Sequence, residues 1–465
     1  MKINPRTSEA YKLVHNGILA LAHAEEQGIR VDTDYTEKKM AQLVRRIERL
    51  EKEFKETNFF RHWQHTMKGT VNIYSNLQLG NYLYKAKGIK IEKETTSGQG
   101  ATDEEALLQM NIPELSTLLE LRKLKKLQDY LDLFTREQVN GYLHPFFNLH
   151  LVQTHRSSSN SPNFQNIPKR DEESMNIVRK ALYPRPGHQL LEIDYSGLEV
   201  RIAACYHKDP TMLKYIKDPT SDMHSDMAKQ LFILDNFDKS IKSHDTLRQA
   251  AKNGFVFPEF YGDYYKNCAQ SLACNWGKLP QGKWSRGQGI EIDTENYTLA
   301  DHFISKDIRS LTAFEEHVKD IETDFWRVRF SDYADWKDRW YNIYKKHGYI
   351  DLLTGFRCSG IMDRKQVINY PVQGAAFHCL LWSFIRLDQI IIEDHLDSRL
   401  VGQIHDSILL DVNPDELDYI MEAAHKITCF ELPEEWPWLI VPLDIDAEVC
   451  PVDGSWAEKS KQSFK

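Results

Sequence analysis

Twice in this chain an aspartate stands where the backbone leaves an apolar strand, and that pairing limits the possible folds more than any other feature. HQLLEID reads as a buried strand ending at Asp194, with YSGLEVRIAACYH as the helix leaving it. Some two hundred residues later, LVGQI and ILLDV flank the short link HDS, which carries Asp406, like the two arms of a hairpin. Taken alone, Asp194 reads as a cap for the helix that starts near Ser196, and Asp406 as a turn residue. Projecting together from adjacent strand ends, the same carboxylates can share divalent cations, and two such ions ~4 Å apart activate a hydroxyl and stabilise a leaving group. The last strand is the clearest. In LDIDAEVC, Leu443, Ile445, Ala447 and Val449 alternate with Asp444, Asp446 and Glu448, the pattern of a sheet with one wet face.

Around these strands the chain is largely helical. Apolar residues fall at helical spacing from Ser8 to Gly28, and GIRVD follows like a turn leading into a short extended piece. In TEKKMAQLVRRIERLEKEFKE, the residues Met40, Leu43, Ile47, Leu50 and Phe54 form one apolar stripe. LSTLLELRKLKKLQDYLDLF sets Arg122, Lys123, Lys125 and Lys126 among leucines, a run that by itself is a solvated face. At 465 residues, with 41% hydrophobic and 27% charged residues, the chain is long enough for several subdomains of ordinary globular composition. Seven cysteines without a CxxC pair suggest reduced thiols. No apolar run is expected to reach bilayer length, and MKINPRTSEAYK lacks a signal-peptide core, so a cytoplasmic protein without membrane contact is expected. A net charge of −9 does not favour a polyanionic partner. It does not exclude one, because a cleft enzyme can carry basic residues inside and carboxylates at a metal site.

Between the two aspartates, LRQAAKNGFVFPEFYG carries Arg248 and Lys252 four apart on an expected helix, so that both cations point toward one anion. Alone they read as a surface pair. In order and flanks, however, LLEIDYSGLEVR resembles motif A, RQAAKNGFVFPEFYG motif B and QIHDSILLDV motif C of the family A DNA polymerases. THRSSSNSPNFQNIP is similar to that family's primer-template segment, and NYPVQGAAFH to the helix preceding motif C. NGILALAHAEEQGIRVD, NIYSNLQLGNYLYKAKGIK, ATDEEALLQM and LRKLKKLQDYL resemble its thumb in sequence, so the likeness runs from about Ser8 to Trp456.

The resemblance implies an α+β right hand with an antiparallel palm sheet and mostly helical thumb and fingers. The expected division is 1–23 leading into the palm, 24–142 thumb, 143–207 palm with motif A, 208–365 fingers with motif B, and 366–465 palm with motif C. It implies that Asp194, Asp406 and the Tyr195 carbonyl bind two Mg²⁺ ions, with Mn²⁺ as a substitute, and that Arg248 and Lys252 grip the triphosphate. Lys252 also becomes a proton donor to the departing pyrophosphate. Glu199 matches the steric gate against a ribose 2′-hydroxyl, with Tyr261 as its partner. Arg156, Gln165, Asn369, Gln373 and His405 match positions that hold primer and template, several of them through the minor groove, whose acceptors are alike for every base pair. Arg122 and Lys126 align with residues that contact the duplex backbone. Primer-template DNA and deoxynucleoside triphosphates are the implied partners. The chain looks like a phage-type form without proofreading or flap-nuclease domains, placed in the host cytoplasm if phage-encoded, although a fragment of a longer protein reads the same way. Replisome partners are not identifiable.

Three departures stand out. Ser407 follows the motif C aspartate where most relatives carry Glu, and the stretch 276–325 is longer than usual for the fingers. Motif B holds one residue more than usual between Lys252 and Tyr261. Counting forward from Lys252 puts Val256 at the nucleotide-stacking position, and counting back from Tyr261 puts Phe257 there. A π-type bulge would restore the shared face, with Gly254 giving backbone freedom; a plain kink at Pro258 is the alternative on local grounds. The expectation is the bulge, with Phe257 stacking. Two rival functions are a catalytically dead DNA-binding module and an RNA-synthesising relative. The presence of Asp194, Asp406, Arg248 and Lys252 disfavours the first, and Glu199 disfavours the second.

Overall fold

The strands expected around the two aspartates pair in one antiparallel sheet. They are β1 (Gln189–Tyr195), β2 (Arg399–Ile404), β3 (Ser407–Val412), β4 (Ile445–Val449) and β5 (Ser460–Gln462), in the spatial order β5-β4-β1-β3-β2. The computed structural model describes residues 4–91, 95, 98–110, 112–169, 171–275, 291–292 and 297–464. The chain divides into two compact units, one of Met1–Gln42, Leu127–Pro219 and Phe330–Lys465, the other of Leu43–Lys126 and Thr220–Arg329. With helices and antiparallel strands in both roles expected of them, the fold is α+β.

The first unit is built on the sheet. Helix α1 (Ser8–Gln27) ends at Gly28, whose φ of 64° lets the chain turn into the short strand Ile29–Val31. Helix α2 (Leu198–His207) leaves β1 through Gly197. A second glycine permits close packing: on α4 (Arg364–Glu393), a Cβ at Gly374 would lie 2.4 Å from the Thr154 carbonyl oxygen. Alternation along β1 sends Tyr195 to one face, where its hydroxyl meets Ser383 of α4 at 2.7 Å in the core. By length and composition α4 could cross a bilayer, which corrects the expectation that no such run exists; 72% of its most apolar window is buried inside the protein. The hairpin link is His405–Asp406, since Ser407 already pairs with Ile404. As expected from its alternation, β4 buries Ile445, Ala447 and Val449 and exposes Asp446.

Glu192 and Asp194 share the other face of β1, and Glu192 is buried at 4% exposure. Trp456 Nε1 donates to it at 3.0 Å, Lys459 Nζ at 2.7 Å and Arg179 Nη1 at 3.4 Å, while Lys459 also contacts Glu448. The Arg179 guanidinium lies 4.1 Å from the centre of the Trp456 ring. Burial pushes the Glu192 carboxyl up, but Lys459 and Arg179 outweigh it and hold the group below its ordinary range.

The helix Thr33–Lys55, whose residues from Leu43 onward belong to the second unit, buries Leu43, Ile47 and Phe54, with Met40 and Leu50 only half-buried. Helix α3 (Lys242–Ala251) runs into a π turn, Lys252–Val256, and then into Phe257–Phe260. Of the stretch 276–325, residues 276–290 and 293–296 lie outside the described residues; the rest includes the helices Leu299–Ser305 and Leu311–Asp324. Just after it, Trp326 Nε1 donates to the buried Glu259 at 2.8 Å. Six cysteines are free thiols, while the side chain of Cys274 lies outside the described residues.

The Glu192 cluster gives a stability test. Lys459→Met leaves a buried carboxylate with one cation fewer, so urea unfolding should show a loss of ~3 kcal/mol. Because the folded-state pKa of Glu192 is depressed, the stabilisation is present at neutral pH and is lost as pH falls through that depressed value; the variant should flatten this acid limb. An unchanged midpoint would mean the cluster contributes nothing to stability.

Candidate active site

Register determines where the two aspartates stand. Ser407 of β3 pairs with Asp194 of β1, and the Tyr195 N–H donates to the Asp406 carbonyl at 3.1 Å, so Asp406 in the turn lies beside Asp194 at the strand end. On the opposite side of β1, Asp446 of β4 pairs with Asp194 and accepts from Ser196 Oγ at 2.9 Å. The alternation of β4 was legible, but not this neighbour. Lys169 Nζ sits 3.2 Å from Asp194 Oδ2. Burial raises the Asp194 carboxyl above its ordinary range; Lys169 opposes the shift, and the charges of Glu192 and Asp406 add to it.

The donors here are hard oxygens in negative surroundings, a chemistry that fits Mg²⁺, with a lysine ammonium already drawn to one of them. Among the described residues, no group of three or more His, Cys, Asp or Glu side chains could hold a metal unaided. A hard cation at such a carboxylate pair also needs water and substrate oxygens, which is how magnesium sites on phosphates are commonly completed. Ser407 is not a substitute acid: its hydroxyl donates to the Ile404 carbonyl at 2.8 Å and to Glu192 at 3.3 Å.

Other sequence-predicted residues gather in the same unit. Glu199, on the first turn of α2, is ion-paired with Arg156. Arg156 Nε also donates to the Gln373 carbonyl at 3.4 Å. Asn369 and Gln373, four apart on α4, share a half-buried face on an otherwise buried stretch. His405 is exposed, with φ 54°, and its N–H donates to Gln165 Oε1 at 2.9 Å.

In the second unit, Arg248 and Lys252 fall where the helix hands over to the π turn. Phe257 N–H donates to the Lys252 carbonyl, a five-residue step that absorbs the additional residue of motif B as expected. The turn brings Lys252 Nζ to 5.3 Å from the Phe257 ring centre. Val256 is wholly buried, whereas Phe257 is half-buried and Tyr261 is exposed. Gly254 lacks the positive φ that conformational freedom would exploit; it serves close packing, since a Cβ there would lie 2.7 Å from Leu272 Cδ2. Arg248 Nε is held by Asp222 at 2.7 Å. Burial, and then Arg248, lower the Lys252 pKa.

His224 was missed. Its ring meets Phe257 edge-on at 5.8 Å, its Nδ1 is buried without a partner among the described residues, and burial with the charges of Lys252 and Arg248 pushes its pKa down to about 4. The only signal was a histidine two residues after Asp222, the cap of its helix. Arg122 is half-buried and donates to the Thr102 carbonyl at 2.8 Å, and Lys126 is exposed on the same helix.

This geometry can be set beside known proteins. DNA polymerase I of Chloroflexus aurantiacus is 26% identical over 485 residues, covering 99% of this chain and 44% of its own length. That of Aquifex aeolicus is 28% identical over 426 residues, covering 89% and 64%. The DNA polymerase of Bacillus phage SP01 is 26% identical over 368 residues, covering 77% and 36%. The chain thus spans about half the length of the curated relatives it matches. Among solved structures, the POL domain of Pol1 from M. smegmatis, in complex with DNA primer-template and dNTP, shares the fold with a TM-score of 0.71 at 22% identity, covering 95% of this chain and 70% of that one. Residues 33–458 match DNA polymerase family A, a span that takes in both units and both aspartates, and the chain belongs to that family.

Proposed function

We propose that this chain is a template-directed DNA polymerase that adds deoxynucleotides to a primer 3′ end. The observation that carries the reading is the backbone pairing that sets Asp194 beside Asp406 in a family A chain. A fold neighbour that holds primer-template DNA and dNTP supports the substrates. Asp194, Asp406 and the Tyr195 carbonyl would hold two Mg²⁺ ions, with Mn²⁺ as a substitute. When bound, such ions activate the primer hydroxyl and stabilise charge on the leaving pyrophosphate. Lys169 balances Asp194 before a metal enters.

Arg248 and Lys252 hold the triphosphate, and His224 packs edge-on against Phe257 beside Lys252. Lys252, with its lowered pKa, releases a proton to the departing pyrophosphate. Phe257 stacks on the incoming base. Arg156, Asn369, Gln373 and His405 line the primer terminus and minor groove, and Arg122 and Lys126 meet the duplex backbone. In this reading 24–142 is the thumb, 143–207 and 366–465 are palm, and 208–365 are fingers. In this reading residues 33–458, the span of the family match, carry polymerisation without proofreading.

Asp194→Ala or Asp406→Ala should reduce primer extension to background while largely sparing DNA binding, which rests on other contacts. Near-normal extension by either variant would refute the metal assignment. In the same assay without nucleotides, a mismatched primer should stay full length; metal-dependent shortening that survives Asp194→Ala would reveal a second site.

Sugar selection rests on Glu199, held by Arg156. Glu199→Ala should raise ribonucleotide incorporation relative to deoxynucleotide, read as the ratio of kcat/KM values. An unchanged ratio contradicts the gate.

Phe257 lacks the hydroxyl with which relatives carrying Tyr replace the missing 3′-hydroxyl of a chain terminator. The chain should therefore discriminate strongly against dideoxynucleotides, and Phe257→Tyr should weaken that discrimination with little loss of normal extension. Relaxation by Val256→Tyr alone would instead support the forward register.

A further inference from the structure

We propose that Gln165 and Gln403 are positioning residues that hold the turn carrying Asp406, so that Gln165 acts on the metal site rather than on DNA; the inference rests on Asp406 as a metal ligand. The link between β2 and β3 is only His405 and Asp406, and His405 has φ 54°, a left-handed conformation unfavourable for a residue with a Cβ. Such a turn keeps one shape only if its surroundings fix it.

The surroundings do so through one amide network. The His405 N–H donates to Gln165 Oε1 at 2.9 Å, and the His405 carbonyl accepts from Gln403 Nε2. Gln165 Nε2 donates to the Gln403 carbonyl at 3.0 Å, to Gln403 Oε1 at 2.7 Å and to Ser157 Oγ at 3.2 Å. Ser157 Oγ in turn donates to Gln403 Oε1 at 2.6 Å. Gln403, at the centre of the network, is 2% exposed, so its own amide is bonded within the protein.

Two consequences follow. An amide nitrogen carries two hydrogens, and three acceptors within the protein already share those of Gln165, leaving none for a base edge. The two peptide groups flanking the Asp406 Cα are also both anchored, one through the His405 carbonyl on Gln403 and the next through the Asp406 carbonyl on the Tyr195 N–H at 3.1 Å. With both fixed, the direction in which the Asp406 carboxylate leaves the backbone is fixed too.

Gln165→Met and Gln403→Met remove the network while conserving length. Two quantities separate positioning from DNA contact: the Mg²⁺ concentration for half-maximal single-turnover extension, and the Kd for primer-template measured without nucleotide. Gln165→Met should raise the Mg²⁺ requirement ~10-fold or more, the usual cost of losing a group that orients a metal ligand. Its Kd for DNA should stay unchanged. Because the two glutamines act through one another, the double variant should be no worse than the worse single one. If Gln403→Met fails to fold, Gln165→Met alone decides. Weakened DNA binding with an unchanged Mg²⁺ requirement would overturn the proposal and assign Gln165 to DNA. Asp406→Ala serves as the control: its inactivity beside normal glutamine variants overturns the clamp alone, whereas full activity in Asp406→Ala overturns the underlying reading with it.

Discussion

The site depends on one backbone hydrogen bond and the register it belongs to, Tyr195 N–H to the Asp406 carbonyl. Side chains alternate along a strand and β3 is buried along its whole length, so a one-residue slip against β1 would take the buried Asp411 away from Arg185, whose backbone N–H donates to it at 2.6 Å and whose Nε donates at 3.2 Å, and would move Asp406 away from Asp194. Buried polar groups that find partners only in this register therefore help to hold the two carboxylates side by side.

Around that pair, charge is distributed rather than accumulated. Glu192, two residues before Asp194 and on the same face, would add to the local negative field if left alone, but Arg179 and Lys459 neutralise it in the core. Ser407, where relatives carry an acid, removes a further charge from the neighbouring strand and instead donates to Glu192. The second unit shows a comparable economy at its cations. Asp222 steadies Arg248, while burial lowers the proton affinity of Lys252 and His224.

Much of this was legible in the sequence because it is local. Alternation gave β4, the apolar run gave β1, and simple counting between Lys252 and Tyr261 gave the π turn. What stayed hidden was made by distant residues. Nothing near Glu192 announces that Lys459 and Trp456 will close over it, although a glutamate inside HQLLEID was itself a sign that a buried partner must exist. The ion pair of Glu199 with Arg156 was not legible either, because it joins residues from separate segments of the chain. The hydrogen bond of Gln165 to a turn 240 residues away was hidden in the same way, since no sequence pattern reports it. The expectation that no run reaches bilayer length failed at α4, because a helix surrounded by protein on most of its surface can be as apolar as one surrounded by lipid.

The central claim is that Asp194 and Asp406 together hold a pair of divalent ions. Electron paramagnetic resonance of Mn²⁺ bound to the full chain with a dideoxy-terminated primer-template and an incoming nucleotide tests it directly. Two spin-coupled ions ~4 Å apart are predicted, with the coupling lost in Asp406→Asn. Isolated, uncoupled ions whose signal is indifferent to that substitution would contradict it.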